Sequence, residues 1–316
     1  MKNSLKTLSR ITGYSTATVS RALSNSGNVR EEVRKRIINA AREIGYSAGS
    51  SRVLVIGEML APSFYHDNLL PYLADALYRS GFCVEFIAKR DVNQVLDQNF
   101  RGAISLLREG IEQYWGNHHN IPLVCINSSA AHLHSIYSVC NDDCAGCAAM
   151  ATTLVELGHR KIGLFGDSVQ LICREDHPYY LNRMEAFLQV MRENHLPDDL
   201  LAGKNMQTDT VSMIKSLLDR GCTALIGNGE TAGVEIYQAM QVLGKKIPED
   251  ISVMTWIAPS FERYYYPPAS GVVQDFERIA GKAVEILQMQ IDGEICSSDI
   301  VVPPLTVIGS SVARCQ

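Results

Sequence analysis

The sequence predicts a chain in two parts, a small all-α head of helix-turn-helix type followed by a larger α/β body, and three observations predict it. Residues 1–52 carry ten Lys/Arg against three acids, a balance of +7, which leaves −12 for the rest of a 316-residue chain whose net charge is −5. Up to Tyr46 the apolar residues recur at helical spacing in three short runs. From Arg52 onward, β-type runs alternate with amphipathic helical runs, the pattern of parallel sheets covered by helices.

With 46% apolar and 20% charged residues, the chain can bury a large core, and its length calls for more than one domain. A basic terminal segment on an acidic body suits a polyanion-binding head, because clustered Lys and Arg displace the counterions condensed on phosphates. Met1 to Arg10 is polar and no apolar run approaches ~18 residues, so a cytoplasmic protein with no membrane contact is expected. The nine cysteines are odd in number and irregularly spaced, and several lie beside Ala and Met on helix faces. They read as free, buried thiols in a reducing compartment.

Within the head, Ser4 can cap a first helix over about Leu5–Thr12, with Leu5, Leu8 and Ile11 on one face and Gly13 ending it. Ser15 can cap a second helix in "STATVSRALS", where Ala17, Val19, Ala22 and Leu23 are left for the interior and Thr16, Thr18, Ser20 and Arg21 for the outside. In "VREEVRKRIINAAREIGY", Val33, Ile37, Ala40, Ala41 and Ile44 recur at the spacing of a third helix. Two short helices about a Gly-containing turn make a helix-turn-helix. Short hydroxyl and small side chains at the start of the second helix can reach base edges, while Arg and backbone amides hold phosphates. Thr16, Ala17 and Arg21 are placed to read bases, and Ser15 and Ser20 to grip phosphate. The competing reading is a small helical dimerisation or protein-binding module with a solvated basic face.

In the body, the β-type runs are "RVLVIG", "FCVEFIA", "RGAISLL", "IPLVCIN", "KIGLFG", "TALIG" and "ISVMTWI". The helical runs are "NLLPYLADALYRSG", "CAGCAAMATTLVELGH", "YYLNRMEAFLQVMREN", "TAGVEIYQAMQVLG" and "ERIAGKAVEILQMQI". Pattern alone leaves open whether they build one sheet or two.

The segment "LKTLSRITGYSTATVSRALSNSGNVREEVRKRIINAAREIGY" resembles the DNA-binding head of the LacI/GalR family of bacterial transcription regulators, and "STATVSRAL" is its most specific part. "LVELGHRKIGLFGD", "IPEDISVMTW" and "PPASGVVQDFERIAGKAVEIL" extend the resemblance over most of the body. It implies a two-lobed, periplasmic-binding-protein-like body of two parallel-sheet sandwiches. The implied division is a head at 1–46, a linker at 47–52 and a body at 53–316, with lobe one at about 53–158 and 275–302 and lobe two at about 159–274 and 303–316. The implied partners are palindromic operator DNA, a small-molecule effector between the lobes (sugar, sugar acid or sugar phosphate) and a second copy of the chain. Carried over residue by residue, Thr16, Ala17 and Arg21 contact bases, and Ser4, Ser15 and Ser20 contact the backbone. Arg30 stands where the family usually caps the third helix with Ser or Thr, so either Asn28 takes that place or Arg30 adds a phosphate contact. The implied effector residues are Phe64 and Tyr65 as a stacking wall, Asn127, a clamp arginine at Arg183, Asn228, Trp256 and Gln274.

This chain departs from the family where acids are usual, with Asn127, Gly229 and Ile257 in their place. Loss of those acceptors leaves Arg183 less neutralised and favours an acidic, phosphorylated or aromatic effector over a plain hexose. The alternative is that Arg183 pairs structurally with Glu185 or Glu230. In the family, the segment after the third helix forms a hinge helix that inserts apolar side chains into the minor groove. Here only Ser47 to Arg52 precede the strand, whereas two helical turns need ~7 residues and Gly-Ser composition disfavours helix. The hinge helix is therefore expected to be absent and the operator little bent. Between Ala88 and Gly102 there is room for only a stub of the usual helix.

"CNDDCAGC" carries C-x3-C-x2-C spacing, yet packing fits it better than an iron–sulfur cluster, because Gly146 stands where such loops carry an aromatic residue. His118 and His119 are adjacent and no HExxH, G-x-S-x-G or phosphate-loop pattern occurs. No metal, cofactor or catalysis is expected. The leading reading is a homodimeric, ligand-controlled repressor, and the rivals are a ligand sensor with weakened or lost DNA binding and an enzyme on the same body.

Overall fold

The computed structural model describes residues 5–23, 29–44, 46, 51–58, 64–92, 100–107, 110–111, 115, 121–128, 136–166, 178–203, 209–229, 231–294 and 299–315. In the head, α1 (Leu5–Thr12), α2 (Thr16–Leu23) and α3 (Glu31–Glu43) close on one core. Leu8, Val19, Ala22, Leu23, Ile37, Ile38, Ala40 and Ala41 fill it, and Leu5, Tyr14, Val33, Ile44 and Tyr46 pack around them. Two expectations are corrected here. Ile11 is 48% exposed, and Thr12 takes the inward place one turn after Leu8, its hydroxyl donating to the Leu8 carbonyl at 2.7 Å. Ala17 is exposed, because the inward stripe of α2 runs through Val19, Ala22 and Leu23. Gly13 ends α1 at φ 76°, a left-handed conformation that glycine adopts without Cβ strain.

The chain divides into two units: residues 1–62, 69–140 and 277–300, and residues 63–68, 141–276 and 301–316. In the first, β1 (Arg52–Gly57), β2 (Cys83–Ala88), β3 (Gly102–Ser105), β4 (Leu123–Ile126), β5 (Tyr137–Asn141) and β11 (Ile300–Val302) form a sheet ordered β11-β5-β4-β3-β1-β2. The continuous apolar run of β1 suits its place between β2 and β3, both parallel to it. Helix α4 (Phe64–Arg79) follows β1, and a 3-10 turn at Lys89–Asp91 lies in the stretch expected to be trimmed, of which residues 93–99 lie outside the described residues.

In the second unit, β6 (Ile162–Gly166), β7 (Leu201–Gly203), β8 (Ala224–Asn228), β9 (Ser252–Trp256), β10 (Ser270–Val273) and β12 (Leu305–Val307) form a sheet ordered β12-β10-β9-β8-β6-β7. All its pairings are parallel except β10 with β12. The period-2 alternation of strands separates two cores. Ile162, Leu164, Ala224, Ile226, Met254 and Trp256 face α5 (Asp143–Glu156) and α6 (Pro178–Glu193), whereas Phe165, Leu225 and Val253 face α7 (Thr210–Asp219) and α8 (Ala232–Leu243). Helix α9 (Phe276–Asp292) completes the described helices.

The first crossover, expected near Gly158, falls at Asn141. Helix α5 is the reason: Cys147, Met150, Ala151 and Leu154 pack into the second unit's core. The expected strands and helices are all present, joined by β5, β7, α7, β10, β11 and β12, which the sequence reading did not single out. The strands among them are three to five residues long, too short to display alternation. Helix α7 carried a readable signal, since Asp209 caps it by accepting from the Ser212 amide at 2.9 Å.

Candidate nucleic-acid interface and ligand site

Ser15 opens α2: its Oγ accepts from the Thr18 amide at 3.1 Å and lies 2.9 Å from the Thr18 hydroxyl. Thr16, Ala17, Ser20 and Arg21 are exposed on the same helix. The Arg21 Nε donates to the Ala17 carbonyl at 3.2 Å, which lays the guanidinium along the exposed first turn. Lys6, Arg10, Arg30, Lys35 and Arg36 are exposed too, so the head's surplus charge faces solvent. The Arg30 carbonyl accepts from the Arg34 amide at 2.9 Å, which puts Arg30 itself at the cap position of α3. Ser4 and Asn28 lie outside the described residues, as do residues 47–50 of the expected linker.

In the second unit, strand order reverses between β6 and β8, the point where sheets of this type leave a crevice beyond their carboxyl ends. Asn228 ends β8 and is fully buried, Trp256 ends β9, and Gln274 follows β10 and is buried, its carbonyl accepting from the Phe276 amide at 2.9 Å. Gly166 is paired in register with Asn228, and a side chain there would overlap the Asn228 backbone.

Arg183 on α6 is buried beside this edge. Its Nε and Nη2 donate to the same Asp143 oxygen at 2.8 and 2.7 Å, the Asn141 side-chain amide donates to that oxygen at 2.9 Å, and the guanidinium carbon lies 3.8 Å from the Trp256 ring centre. Asp143 opens α5 immediately after Asp142, which caps the helix by accepting from the Ala145 amide at 2.8 Å. The pairing corrects the expectation of a poorly neutralised Arg183. It also corrects the partners named for the structural alternative: Glu185 is exposed, Glu230 lies outside the described residues, and Asp143 holds the pair. A pairing between residues 40 positions apart is invisible in the sequence before the helices pack.

The remaining ligand candidates are placed differently. Tyr65 is buried and packs against Phe276 with ring centres 5.8 Å apart, an enclosed position rather than an open stacking wall. The side chain of Phe64 is outside the described residues. Asn127 belongs to the first unit, at the end of β4, with φ 51° and its amide donating to the Val139 carbonyl at 2.9 Å.

The cysteines of "CNDDCAGC" have separate surroundings. Cys147 lies in the core, where burial pushes its thiol up to about 12, whereas Cys144 is exposed. Among the described residues no group of three His, Cys, Asp or Glu could hold a metal ion, and no helix is long and apolar enough to cross a membrane.

Two family models match this chain. That for bacterial regulatory proteins of the lacI family covers residues 4–48, and that for a periplasmic binding protein-like domain covers residues 151–312, half of the chain. The HTH-type transcriptional repressor PurR of Vibrio vulnificus is 24% identical over 314 residues, covering 91% of each chain. A lac repressor dimer bound to operator and the anti-inducer ONPF aligns at TM-score 0.70 and 18% identity over 99% of this chain and 100% of that one. A LacI family regulator of Enterococcus faecium with bound ribose aligns at TM-score 0.71 and 17% identity over 84% of this chain and 100% of that one. A basic three-helix head and a body of two parallel-dominated sheets, matched in turn by these models, establish that the chain belongs to the LacI/GalR family of bacterial transcription regulators.

Proposed function

We propose that the protein is a repressor that binds an inverted-repeat operator as a homodimer, and that a small molecule held between the lobes of the body sets its affinity for that operator. The observation that carries this reading is the exposed set Thr16, Ala17, Ser20 and Arg21 on α2, presented by a head whose core is closed without them. A helix so capped and so exposed suits insertion into the major groove, with each head reading one half-site. The effector favoured is a neutral sugar. Asp143 balances the charge of Arg183, so the guanidinium gives no reason to require an anion. The protein acts by binding alone, without catalysis.

Selection from a randomised duplex pool, followed by fluorescence anisotropy, tests the DNA half of the reading. An inverted repeat is expected, and Arg21→Ala should weaken its binding about tenfold or more, in line with the 1–3 kcal/mol of a bidentate base contact. Unenriched pools would overturn the assignment. Thermal shift against neutral sugars, sugar acids and sugar phosphates tests the effector half, and a shift with anionic members alone would reverse the preference for a neutral one.

A further inference from the structure

The cysteines of "CNDDCAGC" take no part in the operator-binding reading, and two of them stand one turn apart on the same helix. Cys144 and Cys147 lie three positions apart in the opening turns of α5. Helical rise and radius put their Cα atoms about 5 Å apart, inside the roughly 4.4–6.8 Å that disulfides span. Both thiols face α6: the Cys144 Sγ lies 3.7 Å from the Asn182 carbonyl, and Cys147 meets the backbone at Phe187. Cys144 is exposed and Cys147 fully buried. An open thiol followed by a sheltered one lets the first sulfur meet an oxidant and the second resolve the product.

On a regular helix the Cβ atoms of such a pair stand about 5–6 Å apart, whereas a disulfide needs about 3.5–4.5 Å. Closure must therefore tighten this turn by about 1 Å or more. A first turn yields most readily, because its leading amides have no intrahelical acceptor. Here the Ala145 amide donates to the Asp142 side chain instead, and Gly146 between the two cysteines adds backbone freedom. The same turn carries Asp143, which holds Arg183, and Gly146, on which the Trp256 ring rests.

We propose that Cys144 and Cys147 form a dithiol that low-molecular-weight disulfides oxidise to an intramolecular bridge, and that closing the bridge shifts the turn bearing Asp143 and Gly146 against Arg183 and Trp256. The Cys144 thiolate attacks one sulfur of the small disulfide, whose S–S bond breaks, and one small thiolate leaves. The Cys147 thiolate then attacks the Cys144 sulfur, forms the bridge and releases the second. The two protons lost from the cysteines end on the two released thiols, and the small disulfide is reduced by the two electrons the pair gives up.

Burial, and after it the carboxylates of Asp142, Asp143 and Glu185, hold the Cys144 thiol above its ordinary value. Burial holds Cys147 at about 12, opposed by the Arg183 guanidinium. Only about one Cys147 in 10⁴ is thiolate at pH 8. A mixed disulfide one turn away nevertheless presents it with an effective concentration far above that of a free reagent. Exchange should quicken as pH rises, and a cationic disulfide suits the acids around Cys144.

The test incubates the full-length protein with cystamine at pH 8, quenches with acid and cleaves before aspartate. The fragment that begins at Asp142 or Asp143 and ends at Gly166 contains Cys144 and Cys147 and no other cysteine. Mass spectrometry should find it two hydrogens lighter than the dithiol and free of cysteamine. Cys147→Ala should instead retain cysteamine on Cys144, because the resolving thiol is gone. Cys144→Ser, a change at an exposed position, should slow modification of Cys147 at least tenfold. Trp256 emission should shift on oxidation, return with a dithiol reductant and stay constant in Cys144→Ser; Trp115, the other tryptophan, lies in the core of the first unit. A natural chain that keeps cysteamine on Cys144, links Cys140 to Cys144 across the cleavage point or stays reduced overturns the pair. A bridge that forms with unchanged emission overturns the shift of the turn.

Discussion

Arg183 lies over the Trp256 ring, its guanidinium carbon 3.8 Å from the ring centre, while two of its nitrogens converge on a single oxygen of Asp143. The stack and the pair divide the demands of a buried cation. The carboxylate offsets the charge, and the indole face accepts what the low dielectric would otherwise penalise, a contact worth up to about 2 kcal/mol when desolvated. The indole Nε1 is buried without a hydrogen-bond partner among the described residues.

Removing Asp143 strands the charge. Asp143→Ala is expected to cost about 3–5 kcal/mol, because it leaves a buried guanidinium uncompensated. Replacing both partners, Asp143→Leu with Arg183→Leu, should recover most of that loss. Urea unfolding of the three proteins checks it, and equal costs for the single and double variants would show that the pair is not what holds this corner.

Gly146 on α5 admits the Trp256 ring, since a methyl group there would overlap it. Gly146→Ala should destabilise the second unit by about 1–3 kcal/mol and shift the fluorescence of Trp256, as overpacking forces the ring from its rotamer. An unchanged emission spectrum would mean that the ring has room the packing does not reveal.

His159 is buried between the Thr223 hydroxyl, 2.9 Å from Nδ1, and the Ala313 carbonyl, 3.1 Å from Nε2. Burial lowers its pKa below the usual 6.5, against the opposing pull of the Ala313 carbonyl. The unfolded chain therefore binds the proton first as pH falls. The stability is complete above 6.5 and is lost as pH drops through the lowered folded value. Urea midpoints at pH 7 and pH 5 should differ more for the natural chain than for His159→Gln.

Burial raises the thiols of Cys147 and Cys222 from 9.0 to about 12 and about 11. Both should resist alkylation at pH 8 until the protein unfolds, while the exposed Cys83 is modified first. Between 9 and these raised values the folded chain holds more protons than the unfolded one, so stability should decline as pH rises through that window. Mass spectrometry of a labelling time course checks the order of reaction.

The head was legible almost residue by residue. A local three-helix unit announces itself through caps and spacing, and Ser15, Val19, Ala22 and Leu23 behave as the pattern of α2 requires. The error at the end of α1 was of phase: Ile11 and Thr12 differ by one position, about 100° around a helix, and only tertiary packing decides which of them is covered. In the body, long amphipathic helices and central strands were readable, whereas β7 and β12, three residues each, are strands only because a neighbour supplies their hydrogen bonds.

By itself, the sequence determined the basic head, the alternating body, the outward Thr16, Ser20 and Arg21 of α2 and the shortness of the linker at 47–52, all consequences of local spacing and covalent length. Tertiary structure alone decided that β6 and β8 adjoin, that Asn228 and Trp256 end neighbouring strands of one sheet, and that Asp143 finds Arg183. Charge neutralisation depends on distance in space, and two side chains 40 positions apart in sequence carry no record of it until the helices that bear them pack on the same face.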